Sequence, residues 1–170
     1  MRRWFFTVLL VLACAAGARA ESIVAAESIE EAEFAYDRGD YTQAARLFSP
    51  LAEQGAAAAQ FYLGLMHEKG RGVRQDYRMA LKWFRKAAAQ GHAGPQNNLG
   101  LMYERGRGVR KDLVRALMWY NVAAAMSSDD EGKTAATRRD HLTSQMTAAQ
   151  IEQAQEMARR CQQSQFKTCD

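Results

Sequence analysis

The chain has 170 residues, three cysteines and a formal net charge of +4. Residues 1–20 hold three arginines and no acid, so residues 21–170 carry a net charge of only +1. A near-neutral body has no electrostatic reason to seek nucleic acid or anionic lipid, and a nucleic-acid function is excluded.

The N-terminus reads as an export signal. Arg2 and Arg3 form a positive start, Trp4 to Ala13 is almost wholly apolar, and Ala18-Arg19-Ala20 supplies the small residues of a cleavage site before Glu21. The apolar run is shorter than the roughly 20 residues of a membrane-spanning helix. Two alternatives stand beside cleavage after Ala20: a retained anchor, and a lipoprotein acylated at Cys14 in Val11-Leu12-Ala13-Cys14. The expected location is therefore periplasmic or secreted, with membrane attachment only through an uncleaved or lipidated N-terminus.

Residues 21–170 have the length of one domain. With two prolines, Pro50 and Pro95, and abundant alanine, the composition favours helices over strands. A first helix is predicted from about Ser28 to Arg38, and Gly39-Asp40 then opens a second that ends before Gly55.

An internal repeat organises the middle of the chain. Gln60–Ala89 aligns with Gln96–Ala125 at a shift of 36 residues without a gap, and eighteen of the thirty positions are identical. Each unit reads as two helices. Ala56 to Lys69 is the first, with Leu63 and His67 one turn apart on one face, and Gly70 ends it. Asp76 caps the second, where Ala80, Leu81, Phe84, Ala87 and Ala88 recur at helical spacing until Gly91. Pro95, Gly106 and Asp112 mark the same events one unit later. Gly64 and Gly100 give room for close helix approach, and Trp83 and Trp119 fill space between layers. Such a pair cannot bury its apolar face alone and depends on its neighbours.

These residues carry a specific resemblance. LGLMHEKGRGVRQDYRMALKWFRKAAAQG at 63–91 and LGLMYERGRGVRKDLVRALMWYNVAAA at 99–125 resemble Sel1-like repeats, relatives of the tetratricopeptide repeat with a longer interhelical loop. Residues 39–55 resemble the second half of an earlier unit, with Asp40, Ala44, Phe48 and Gly55 matching Asp76, Ala80, Phe84 and Gly91. His67 departs from the family's usual Tyr and is read as its packed stand-in; Asn97 stands where an aromatic is expected opposite Phe61. The resemblance implies an all-α, short right-handed α-solenoid with repeats at about 28–55, 56–91 and 92–127. A C-terminal part, 128–170, forms capping helices and a tail.

In that part, Met126 to Lys133 reads as a turn and Thr134 to Met146 as a helix with Ala135, Leu142 and Met146 on one side. Thr147 and Gln150 form a capping box for a last helix with Ile151, Ala154, Ala158 and Cys161 along one stripe. Cys161 and Cys169 remain after the signal is removed, and an even pair in an exported protein reads as a disulfide. A continuous helix would set them about 12 Å apart, beyond the roughly 7 Å a disulfide spans. The helix must therefore end soon after Cys161 and the chain fold back.

No catalytic arrangement is visible. His67, His92 and His141 lack metal-site spacing, GRGVR lacks the strand and Lys-Ser/Thr of a phosphate loop, and no serine sits in G-x-S-x-G. No cofactor or metal is expected, and Glu68 and Glu104 are repeat positions rather than an acid–base pair. The remaining candidates lie on the surface. Arg71, Arg74, Arg107 and Arg110 recur and would align along one edge, either as a solvated rim or as a dock for an acidic partner. Tyr62 and Asn98, which differ between units, are the other candidates, with Phe61 and Asn97 beside them. The resemblance implies a non-enzymatic envelope scaffold for a protein or peptide. The alternatives are an envelope hydrolase or cell-wall-modifying enzyme, and a periplasmic regulator of a membrane sensor.

Overall fold

The computed structural model describes residues 28–126 and 130–169. The export signal, its cleavage site after Ala20, and the anchor and Cys14 alternatives lie outside these residues. Every regular element among the described residues is a helix: α1 at 28–37, α2 Tyr41–Glu53, α3 Ala57–Lys69, α4 Tyr77–Ala88, α5 Ala93–Arg105, α6 Leu113–Met126, α7 Asp130–Thr143 and α8 Ala148–Gln163. From α2 to α7 each helix packs on the next in the chain. Beyond chain neighbours, substantial packing joins α5 to α7 and α6 to α8. This is a solenoid of antiparallel pairs.

The second helix of each pair starts on an aspartate. Asp40 Oδ1 accepts from the Gln43 amide (3.1 Å), Asp76 Oδ1 from those of Arg78 and Met79 (2.8 and 3.1 Å), and Asp112 Oδ1 from that of Arg115 (3.0 Å). These bonds satisfy amides that the first turn leaves unpaired. The first helices have no such cap: Ala56 and His92 precede α3 and α5 without a side-chain bond. They are held by buried glutamines instead. Gln60 Nε2 donates to the Ala52 carbonyl (3.0 Å) and Gln96 Nε2 to that of Ala88 (3.2 Å), each tying a first helix to the end of the preceding second helix. Gly70 and Gly106 end α3 and α5 at φ 67°, in the left-handed region. The loops then fold back, the Asp76 amide donating to the His67 carbonyl and that of Asp112 to Tyr103, both at 2.9 Å.

The core has two main parts that meet in α4. Trp83 joins Ala32, Ala35, Phe48, Leu63 and Met66, while adjacent Phe84 joins Leu99, Met102, Tyr103, Trp119, Tyr120 and Leu142. Both tryptophans are buried, as a packing role requires. The Gly64 backbone lies against the Phe84 ring and the Gly100 backbone against Tyr120. Each glycine thus admits the aromatic ring of its own second helix.

Two expectations need correction. The helix expected over 134–146 occupies Asp130–Thr143 instead: Lys133 belongs to it and Met146 lies in the turn after it. Asp130 and Glu131 suit the positive end of the helix dipole, and Gly132 is buried. His67 is not a packed equivalent of Tyr103. Tyr103 is buried and its hydroxyl accepts from Arg85 Nη2 at 2.7 Å. Thirty-six residues before Arg85 stands Ser49, whose hydroxyl is spent on the Ala45 carbonyl (2.6 Å). His67 stays half-exposed, with Nδ1 3.4 Å from the Arg74 carbonyl.

The tail turns back at Ser164, whose hydroxyl donates to the Cys161 carbonyl (2.8 Å) and accepts from the Thr168 amide (3.1 Å). Gln165 and Phe166 take φ of 53° and 63°, and Cys161 and Cys169 are joined with Cα atoms 4.5 Å apart. The reversal sets the Phe166 ring against Gly91. Replacing both cysteines with alanine is expected to lower stability by at most about 2.5 kcal/mol, the loop-closure value for so short a ring, and to free the tail. Hydrogen exchange at Phe166 and Thr168 checks it. Exchange as slow as in the parent would show that the covalent link does not hold the tail in place.

Candidate interaction surface

The four recurring arginines do not act alike. Arg71 lies over the Tyr41 ring (5.0 Å) and donates from Nη1 to the Tyr36 hydroxyl (3.3 Å). Arg107 lies over the Tyr77 ring (5.4 Å) and pairs through Nη1 with Glu68 (3.3 Å). Both reach back from a loop onto the preceding repeat, with the same residue type at the same spacing. Arg74 and Arg110 are exposed. Arg74 stands with His67, Gln75, Asp76, Tyr77, Arg78 and Gly108 around an open depression of about 550 Å³ on the loop edge.

Tyr62 is half-buried in an aromatic cluster. It stacks on Phe48 with centroids 4.8 Å apart and 7° between planes, meets Tyr36 at 5.1 Å edge to face, and lies 5.9 Å from Phe61. Burial, then the carboxylates of Glu33 and Asp37, then Tyr36 and Glu131, hold its hydroxyl above the usual tyrosine range. Burial, then Asp37 and Glu30, likewise push the Glu33 carboxyl up. Carboxylates of α1 and α7 therefore converge electrostatically on one ring of α3.

Asn98 is half-exposed in a second depression, of about 210 Å³, with Phe61 from α3, Gly94 and Asn97 from α5, and Asp130, Glu131 and Thr134 from α7. Three successive first helices thus contribute to one surface feature. Asn97, read from the sequence as a variable exposed position, is instead buried, and its Oδ1 accepts from Arg138 Nη1 at 3.0 Å. A small amide at the aromatic position leaves room for a guanidinium from the next helix. Sequence reasoning missed Asp130, Glu131 and Arg138 because it placed the first two in a turn. The structure separates Arg74 on the loop edge from Asn98 on the first-helix face. Among the described residues no three His, Cys, Asp or Glu side chains gather as metal ligands.

Stacked helix pairs, a glycine-rich loop that grips the preceding pair, and a face built by the first helices define an all-helical repeat protein. The Sel1 repeat family model matches residues 35–55, 57–92 and 96–128, and the chain belongs to this family. It is similar in structure to a protective antigen present in uropathogenic Escherichia coli strains displaying an SLR fold. The TM-score is 0.76 at 28% identity over 86% of this chain and 32% of that one. It is also similar to a Sel1 repeat protein from Oxalobacter formigenes, with TM-score 0.55 and 38% identity over 58% of this chain and 39% of that one. The chain thus spans less than two fifths of the length of either structure. A search of curated proteins found no match.

Proposed function

We infer that this chain is an exported envelope scaffold that holds a protein or extended peptide on its first-helix face. Sel1 repeat proteins generally act as scaffolds for protein–protein interaction and are typically non-enzymatic. The observation that carries the choice of face is the depression shared by α3, α5 and α7, where Phe61, the Asn98 amide and the carboxylates of Asp130 and Glu131 lie side by side. An apolar floor flanked by amide and acid groups suits an extended segment bearing cationic side chains. The loop edge is less suited, because Arg71 and Arg107 already serve contacts between repeats. The charged start and small-residue end of residues 1–20 support export.

The test is quantitative cross-linked capture from the native envelope. Asn98→Lys places a long cation in the depression and is expected to reduce partner recovery at least about tenfold, a loss of roughly 1.4 kcal/mol, with the melting temperature unchanged. Arg74→Glu is expected to leave recovery intact. The reverse pattern would move the interface to the loop edge and sink the proposal. Fractionation, with N-terminal sequencing of the mature chain expected to begin at Glu21, tests location separately.

A further inference from the structure

The near-neutral total charge hides two helices of opposite sign. α1 carries Glu30, Glu31, Glu33 and Asp37 and no base, a net −4; α4 carries Arg78, Lys82, Arg85 and Lys86 and no acid, a net +4. Arg85 is used inside the fold, donating to the Tyr103 hydroxyl at 2.7 Å. Arg78, Lys82 and Lys86 are all exposed, and their spacing of four sets them along one side of the helix. Glu30, Phe34 and Asp37 form an exposed ridge on α1 in the same way. Among the described residues no ion pair holds Glu30, Asp37, Arg78, Lys82 or Lys86. The two lysine ammonium groups lie over the Trp83 ring instead, at 5.9 and 4.7 Å.

The acidic ridge also holds a large apolar side chain in water. Phe34 is 62% exposed. Residues 38–40 join α1 to α2 where residues 70–76 join α3 to α4, so the first unit is shorter by 7 − 3 = 4 residues. With that allowance Phe34 stands where Met66 and Met102 stand in the next two units. Both methionines are buried against the preceding pair, Met66 with Ala44 and Phe48 and Met102 with Ala80 and Phe84. No helix pair precedes α1 among the described residues, and only Arg38 covers the Phe34 ring, at 4.7 Å. The two ridges match in length: Glu30 to Asp37 spans about 10 Å of helix and Arg78 to Lys86 about 12 Å. Laid together, the carboxylates at either end of Phe34 meet the three cations, and the ring rests on lysine methylenes. They do not meet within one copy, where α3 packs on both helices and each ridge stays exposed.

We propose that the chain associates with itself, the Glu30–Phe34–Asp37 ridge of one copy docking on the Arg78–Lys82–Lys86 ridge of another. Every copy carries both halves, equal and opposite in charge. The contact uses no residue of the depression around Asn98, so its failure leaves the reading of that face untouched. One helix on one helix is a small interface, so the association is weak and depends on salt. The test is sedimentation equilibrium of the chain from Glu21 onward with its disulfide intact. Association is expected at about 20 mM salt and at least about tenfold weaker at about 500 mM. Lys82→Glu with Lys86→Glu, and Glu30→Lys with Asp37→Lys, should each leave a folded monomer at low salt. An equal mixture of the two reversed variants should associate again, because each then offers the ridge the other needs. Phe34→Ser, at an exposed site, should weaken association without lowering the melting temperature. A dimer means that the ridges pair reciprocally and a longer series that copies join head to tail; rescue by mixing is required of both. A monomer at low salt, association that survives either reversal, or a mixture that stays monomeric overturns the proposal. So does an α4 ridge that binds phosphatidylglycerol vesicles while the copies stay apart.

Discussion

Replacing Gly108 with alanine is expected to destabilise the protein by about 3 kcal/mol, and Gly72→Ala by a similar amount. Both glycines sit in the interhelical loops at φ 69° and 67°. Leaving glycine in this region costs an L-residue roughly 1–2 kcal/mol. The larger part comes from contact with a different repeat. A Cβ on Gly108 would lie 2.6 Å from the Tyr77 carbonyl carbon and 3.0 Å from the Arg78 nitrogen, and one on Gly72 would press on the Tyr41 carbonyl. These are backbone atoms at the first turn of a capped helix, which cannot swing aside, and overpacking of this kind costs roughly 1–3 kcal/mol. Gly55 supplies the control. Its φ is 102°, yet nothing lies within 4 Å of a Cβ there. Gly55→Ala should therefore show the conformational part alone, about 1–2 kcal/mol. Urea unfolding of the three variants decides the matter: equal losses would mean that the loops do not grip the preceding repeat.

The same loops show how far the sequence could be read. GRGVR was legible as a helix stop and compact turn, because a glycine just past an apolar-periodic stretch has a local meaning. Its partner was not. Tyr41 and Tyr77 lie about thirty residues before the loops that rest on them, in the preceding repeat, and no spacing within one unit announces that contact. The arginines follow the same logic. Recurrence showed that Arg71, Arg74, Arg107 and Arg110 are repeat positions, but only geometry divides them into two that reach back and two that stay exposed. Gln60 and Gln96 were identical in both units and still passed unremarked. A polar residue in an apolar stretch reads as surface until its carbonyl partner is seen. In α7 the repeat register survives only as the small buried residues Gly132 and Ala135, too weak a signal to recognise without the packing. The candidate face was legible at Asn98 and hidden at Asp130 and Glu131, because the helix that carries them lacks the apolar periodicity of its predecessors.

The second large effect concerns the glycines inside the first helices. Gly64→Ala and Gly100→Ala should each raise helix propensity by about 1 kcal/mol, and both are nevertheless expected to destabilise. A Cβ on Gly64 would fall 2.5 Å from Phe84 Cε1, and one on Gly100 would fall 2.6 Å from Tyr120 Cδ1. Both rings are fully buried in the close-packed core, so neither has free space to enter. Net losses of about 1–3 kcal/mol are expected for alanine, and more for leucine, whereas Arg74→Ala on the exposed loop edge should change stability by less than about 0.5 kcal/mol. The two glycines should also differ from each other. The Tyr120 hydroxyl donates to Glu104 Oε2 at 2.6 Å, which fixes the ring at its far end, and burial together with this bond holds its pKa far above the usual range. Phe84 has no such tether. Gly100→Ala should therefore cost more than Gly64→Ala, and Tyr120→Phe combined with Gly100→Ala should recover part of the difference in a double-mutant cycle. Strict additivity of the pair would show that the hydroxyl does not hold the ring against Gly100, and an arginine change more damaging than either glycine change would overturn the assignment of core and surface in this repeat.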